Sequence, residues 1–212
     1  MYVMNRYFLF AISLMLGCNS TYAQTAQQVL DATAKILTSS QATRVVFTGT
    51  DFSGTQETGN FKGTIVLKGT AYNLDSDMIR AWFDGKTLWT ILSGSEEVNV
   101  SHPTEEELQT MNPLYFINLY KKGFNLTCEK LNHNGIPSYQ VNLLAQDAAS
   151  PISEMRVVIN QATSLPLSIR MRKGKDWFRI RISECETNVK VGEQFFTFDQ
   201  GLFPNYDLID LR

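Results

Sequence analysis

Histidine is nearly missing from this chain: His102 and His133 are the two in 212 residues. A nucleophile–base–orienter constellation needs a base in hydrogen-bond reach of a nucleophile. His102 stands at a helix entrance and His133 in the turn Asn132-His133-Asn134-Gly135. No Gly-x-Ser-x-Gly elbow accompanies them, so no catalytic residue and no enzyme is expected. Cysteine is equally sparse, with three, and no Cys/His pair has ligand spacing. The acidic run Glu105-Glu106-Glu107 reads as a solvated helix start, so no metal is expected either. No Gly-rich loop opens a helix to cradle phosphate, and no cofactor is implied. Charge of one sign is lacking as well. Nineteen Lys and Arg face 21 Asp and Glu, which argues against a nucleic-acid partner. No apolar run is long enough for a stable membrane span.

The longest apolar run is at the start. Arg6 precedes Tyr7 to Leu16, the n-region and h-region of an export signal. Two endings compete. Thr21-Tyr22-Ala23 before Gln24 is a small-residue cleavage site, and Met15-Leu16-Gly17-Cys18 looks like a lipobox that would lipidate Cys18. Cleavage after Ala23 is favoured, because Met is an unusual lipobox opener. Residues 1–23 then form the leader, and 24–212 form one exported domain. Cys128 and Cys185 remain. An oxidising compartment permits a disulfide, but they stand on strands far apart in a meander, so two free thiols are expected.

The mature chain opens with a helix. Thr25 and Gln28 make a capping box, and Val29, Thr33, Ile36 and Leu37 follow helical spacing. Strands are then expected at 43–50, 59–68, 71–75, 78–83, 87–92, 97–101, 125–131, 138–144, 154–160, 167–173, 176–186 and 195–198. Turn signals separate them at Gly69-Thr70, Asp84-Gly85, Asn134-Gly135 and Lys173-Gly174-Lys175. Thr104 with Glu107 makes a second capping box. Asn112-Pro113 opens a short helix running through Tyr120 to Lys121-Lys122 and a stop at Gly123.

A hairpin-linked sheet of about eleven strands is antiparallel and must curl. The fold class expected is α+β, mainly antiparallel β, as a curved, half-open barrel whose concave side is plugged by Leu114 to Tyr120 and the N-terminal helix. On the second strand Phe61, Ile65 and Leu67 share one face, with Asn60, Lys62, Thr64 and Lys68 on the other. Val46, Val66, Trp82, Trp89 and Ile91 stand opposite the better-patterned apolar set. Any one of Tyr72, Trp82, Phe83, Trp89, Tyr115, Phe116, Tyr120, Trp177 and Phe178 reads as core, but together, on a sheet apolar on both faces, they would suit a concave site for a greasy ligand.

The wording Phe83-Asp84-Gly85-Lys86-Thr87-Leu88-Trp89 carries more than a hairpin. It resembles the LolA family, periplasmic carriers that ferry acylated lipoproteins to the outer membrane. The resemblance extends to the N-terminal helix, the strands from Gly59 to Leu74, the helices near Asn112-Pro113, and the ending Phe196-Thr197-Phe198 with Asp207 to Leu211. It implies a half-open barrel with a helical lid over an apolar cavity. It also implies a monomer that takes triacylated lipoproteins from an inner-membrane ABC transporter and passes them to an outer-membrane receptor. The expected lipid-binding residues are Phe47, Ile65, Leu67, Tyr72, Ile79, Leu88 and Trp89 on the sheet, with Leu114, Phe116 and Ile117 on the lid. Family members carry an Arg-Pro after the strand matching Thr64 to Lys68, and that Arg helps hold the lid closed. Here Lys68-Gly69-Thr70 stands in its place, so Lys68 is the lid-contact candidate, without arginine's planar fork. The same scaffold could serve instead as an envelope sensor or protein-interaction module.

Overall fold

The computed structural model describes residues 25–38, 41–104, 107–108 and 119–212. The leader with both of its endings, and the lid residues Leu114, Phe116 and Ile117, lie outside them.

The helix α1 (Ala26–Leu37) begins as its capping box dictates: the Gln28 amide donates to Thr25 Oγ1 at 3.2 Å, and the Thr25 amide donates to Gln28 Oε1 at 2.9 Å. Its buried stripe is Ala26, Val29, Leu30, Thr33, Ala34 and Leu37. Ile36, expected on that stripe, is only half-buried, because Leu30 and Ala34 rotate the face toward themselves.

Twelve strands follow: β1 (Ala42–Ser53), β2 (Gln56–Lys68), β3 (Ala71–Ser76), β4 (Ile79–Phe83), β5 (Leu88–Leu92), β6 (Glu97–Ser101), β7 (Phe124–His133), β8 (Ile136–Ala145), β9 (Glu154–Asn160), β10 (Pro166–Lys173), β11 (Asp176–Val189) and β12 (Asp207–Asp210). They form one open, curled sheet in the order β12-β6-β5-β4-β3-β2-β1-β11-β10-β9-β8-β7. This is the half-open barrel expected. The turns fall where glycine permits positive φ, as at Asn134 (52°) and Gly135 (88°) between β7 and β8. The central strand β1 is irregular in its pairing at three points: Ala42/Arg44 and Val46/Phe47 against β11, and Asp51/Phe52 against β2. Such bulges bend and twist a sheet, and here they sit where it curls.

Two expectations need correction. Phe195 to Phe198 is not a strand: Glu193–Phe196 is a 3-10 turn, followed by another at Gln200–Leu202. The last strand is β12, and it pairs parallel to β6, so the sheet is not wholly antiparallel. The reason is what residues 192–206 cover. The segment lies over the convex face, where Trp82 meets Phe198 at 5.4 Å and Phe203 at 5.6 Å between ring centres. Phe196 packs with Val66 and Ala42, and Asn73 Nδ2 donates to the Phe195 carbonyl at 2.8 Å. Val66 and Trp82 on the second face are therefore covered by the chain itself. They do not line the concave side.

The main core occupies one end of the concave face. The helix packs against β7 and β8, and its Leu30 and Leu37 are buried in one cluster with Val45, Ile65, Leu67, Tyr72 and Leu88 and with Val141, Leu143, Val157 and Ile159. Thr33 Oγ1 donates to the Ser164 carbonyl at 2.8 Å, and the Tyr120 hydroxyl donates to Asp31 Oδ1 at 2.6 Å, pinning the helix at two places. Each fully buried Leu contributes about 1.5–3 kcal/mol.

Candidate functional site

The other end of the concave face is not covered by α1. Its floor grows out of a local repetition: Phe47-Thr48-Gly49 in β1 and Phe61-Lys62-Gly63 in β2. Antiparallel register sets Phe47 opposite Gly63 and Phe61 opposite Gly49. Each ring therefore lies over a residue without a side chain. A Cβ on Gly63 would come within 2.8 Å of Ser76 Cβ and 3.0 Å of Phe47 Cζ, and one on Gly49 would strike the Phe61 ring. Phe47 and Phe61 meet edge to face at 6.1 Å, and Phe61 stacks on Phe178 of β11 at 5.6 Å with an interplanar angle of 15°. Three aromatic rings thus pave the bend between β2, β1 and β11.

Above this floor is a cavity of about 440 Å³. Leu74, Ile79 and Leu92 wall it on one side and Met171 on the other. Met78 and Leu92 at its mouth are 52% and 54% exposed, a large apolar surface left to solvent. The polar atoms are at the rim, from Asp51, Ser76, Lys173 and Asp176. Burial against the apolar wall draws the Lys173 ammonium below the ordinary lysine value, with Asp51 acting in the opposite direction. The arrangement offers an aromatic and aliphatic trough with charge only at its edge. A larger recess of about 790 Å³ lies on the convex side, but Asn73, Thr197, Asp199 and Gln200 make its lining half polar, and it belongs to the seat of the C-terminal segment.

Of the residues expected to bind lipid, Phe47 and Ile79 stand on the cavity wall. Ile65, Leu67, Tyr72 and Leu88 share that face and are buried in the same core cluster as Phe47 and α1, but they do not line the cavity. Trp89 is on the convex face, directly opposite Trp82 across β4 and β5. Lys68 stands half-buried at the end of β2, outside the cavity wall. Of the expected lid helix, Leu119 and Tyr120 are described, and both are buried in the main core. Leu74 and Met171 are not singled out by the sequence, while Phe61, on the apolar face, and Phe178, among the clustered aromatics, are not among the expected lining residues. The doubled Phe-x-Gly in consecutive strands was the available signal.

The distinctive turn is architectural. Asp84 Oδ1 accepts from the Lys86 amide at 2.8 Å and the Thr87 amide at 2.7 Å. Gly85 sits at φ 100°, where a Cβ would press on Thr70 Oγ1 at 3.0 Å. Asp and Gly are thus needed for the turn to form against its neighbour. Cys128 and Cys185, the cysteines among the described residues, are free thiols, half-buried on the concave face, and burial pushes the Cys185 thiol up to about 11.

The profile of the family described as "Outer membrane lipoprotein carrier protein LolA" matches residues 16–175. No curated protein sequence matches the chain. Among solved structures, an uncharacterized conserved protein from Thermus thermophilus aligns with a TM-score of 0.61 at 12% identity, covering 87% of this chain and 98% of that one. It shares the fold. A putative outer membrane lipoprotein-sorting protein domain from Vibrio parahaemolyticus aligns with a TM-score of 0.46 at 11% identity, over 84% and 99% of the two chains. A LolA superfamily protein from Nitrosomonas europaea gives 0.45 at 10% identity, over 82% and 98%.

Proposed function

The chain belongs to the outer membrane lipoprotein carrier protein LolA family, and from that premise we propose that it is a periplasmic, non-enzymatic carrier of lipoprotein acyl chains. The observation that carries this reading is the open apolar cavity of about 440 Å³ floored by Phe47, Phe61 and Phe178. An acyl chain exposed to water costs on the order of 0.8 kcal/mol per methylene, or on the order of 10 kcal/mol for a chain of about sixteen carbons. A carrier must recover most of that and still let go. A trough of adaptable Met, Leu and Phe side chains with polar atoms only at its rim suits this better than a closed polar site. Leu114, Phe116 and Ile117 are proposed to close over the bound chain. The partners proposed are acylated lipoproteins, an inner-membrane ABC exporter and an outer-membrane receptor.

The test is displacement of a fluorescent fatty-acid analogue from purified protein. Wild type is expected to bind it. The variant Ile117→Glu, which sets a carboxylate against the chain, is expected to lose it with its circular dichroism unchanged. A wild type that binds no acyl probe overturns the carrier reading. Unchanged affinity in a folded Ile117→Glu variant removes the lid from the site.

A further inference from the structure

Charge is balanced over the whole chain but not along it. Between Pro166 and Ile182 stand six cations, Arg170, Arg172, Lys173, Lys175, Arg179 and Arg181, against one anion, Asp176. The net charge of the full chain is −2. Strand alternation sends all four arginines to the convex face, opposite Met171, Phe178 and Ile180. Arg156 of β9 joins them, so Arg156, Arg170 and Arg179 are direct neighbours across three strands.

Like charges placed directly opposite one another repel, so stability alone does not gather them. Aromatic rings make the cluster tolerable. The Arg170 guanidinium lies 4.6 Å from the Trp177 ring centre and 5.6 Å from that of Phe52, and Arg179 lies 4.7 Å from Phe52. Arg156 and Arg172 flank Trp177 at 5.3 Å and 5.8 Å. Such contacts occupy the face of a guanidinium and leave N–H groups on its edge for an anion. Among the described residues carboxylates reach two of the five arginines: Glu154 pairs with Arg156 at 2.7 Å and Glu57 with Arg179 at 3.3 Å. Among the described residues no carboxylate is within ion-pair distance of Arg170, Arg172 or Arg181.

We propose that this arginine–tryptophan face docks on an anionic phospholipid surface, with guanidinium edges on the lipid phosphates and Trp177 at the level of the headgroups. Cations near an anionic leaflet and Trp at its interface are the two residue types such a surface recruits. The placement favours a membrane over an acidic protein. Lys173, Asp176 and Trp177 of the same hairpin also border the concave cavity, so a bilayer touching the arginine face stands beside the cavity mouth. The docking stands whether or not the cavity holds acyl chains.

The experiment is sedimentation of the protein with vesicles at low salt, where screening is weakest. Vesicles of equal phosphatidylcholine and phosphatidylglycerol are compared with phosphatidylcholine alone. Wild type is expected to partition onto the anionic vesicles only. Arg172 and Arg181 are both exposed, so the double variant Arg172→Gln with Arg181→Gln should keep its circular dichroism. Its partition coefficient is expected to fall about 30-fold, at about 1 kcal/mol for each cation removed. If the double variant fails to fold, each single variant is expected to lose about fivefold. A control changing Lys121 and Lys122 to Gln should partition as wild type. The proposal is overturned if wild type ignores anionic vesicles, if it binds both vesicle types equally, or if the arginine variants partition unchanged. Salt-sensitive binding of polyglutamate without vesicle binding would overturn it in favour of an acidic protein partner.

Discussion

The two ends of the concave face are built from the same strands and meet different fates. At one end α1 seals Ile65, Tyr72 and Leu88 into a core with no solvent contact to speak of. At the other, β1 and β2 continue unaccompanied, and their side chains end in a trough whose mouth holds exposed Met78 and Leu92. One strand, β2, passes through both: Ile65 is core and Phe61 is cavity floor, four residues apart on one face. The difference teaches that hydrophobic patterning specifies a face, and that the covering element decides whether the face is core or site.

Substitutions at the two ends should separate stability from binding. The largest effect is expected at the sealed end. Leu30→Ala, with no room to collapse against the sheet, should cost on the order of 3 kcal/mol, read as a fall in the urea midpoint. At the open end Phe61→Ala should cost less stability, because the ring is only half-buried, yet weaken acyl-probe affinity about tenfold, on the order of 1.4 kcal/mol. Equal stability losses at Leu30 and Phe61 would erase the distinction between the two ends. A smaller effect of opposite sign is expected at Tyr72. Its hydroxyl is buried with no hydrogen-bond partner among the described residues, and burial holds its pKa far above the ordinary phenol value. Tyr72→Phe removes an unsatisfied group and should leave stability unchanged or raise it by up to about 1 kcal/mol, seen as a higher Tm.

The smallest effect concerns Cys185. Its thiol is raised by burial from 9.0 to about 11, so the folded state holds the proton more tightly than the unfolded chain. The associated stability is fully present below pH 9 and drains away as pH rises towards 11. Thermal melts across that window should fall less steeply for Cys185→Ala than for wild type.

How much of this was legible follows from which signals are local. The capping box of Thr25 and Gln28 and the turn at Asn134-Gly135 are complete within a few residues, and both formed as read. The curled sheet followed from the number of hairpins. The C-terminal segment did not, because Phe195-Phe196-Thr197-Phe198 alternates like a strand while its real role, covering Val66 and Trp82, depends on residues far away in the chain. Trp89 is expected at the lipid from the family resemblance, although strand alternation already sets it with Trp82 on the opposite face, where the two stand paired. The spacing Arg170-x-Arg172 and Arg179-x-Arg181 was visible, but a whole-chain charge near zero hides a stripe that one hairpin concentrates.

The pairing of β1 with β11 has a consequence in time. Strands β1 to β6 join neighbours in sequence, and so do β7 to β11, so each series can zip locally as soon as its turns close. The two series pair as strands only where β1 meets β11, from Ala42 with Val189 to Ser53 with Asp176, a pairing that must await nearly the whole chain and bears a large loop-closure entropy. The seam is then the slow step of folding, and until it closes β1 and β11 each present an unsatisfied edge along their full length. A newly made chain is therefore most vulnerable to mispairing with another copy at the strand that later becomes its centre.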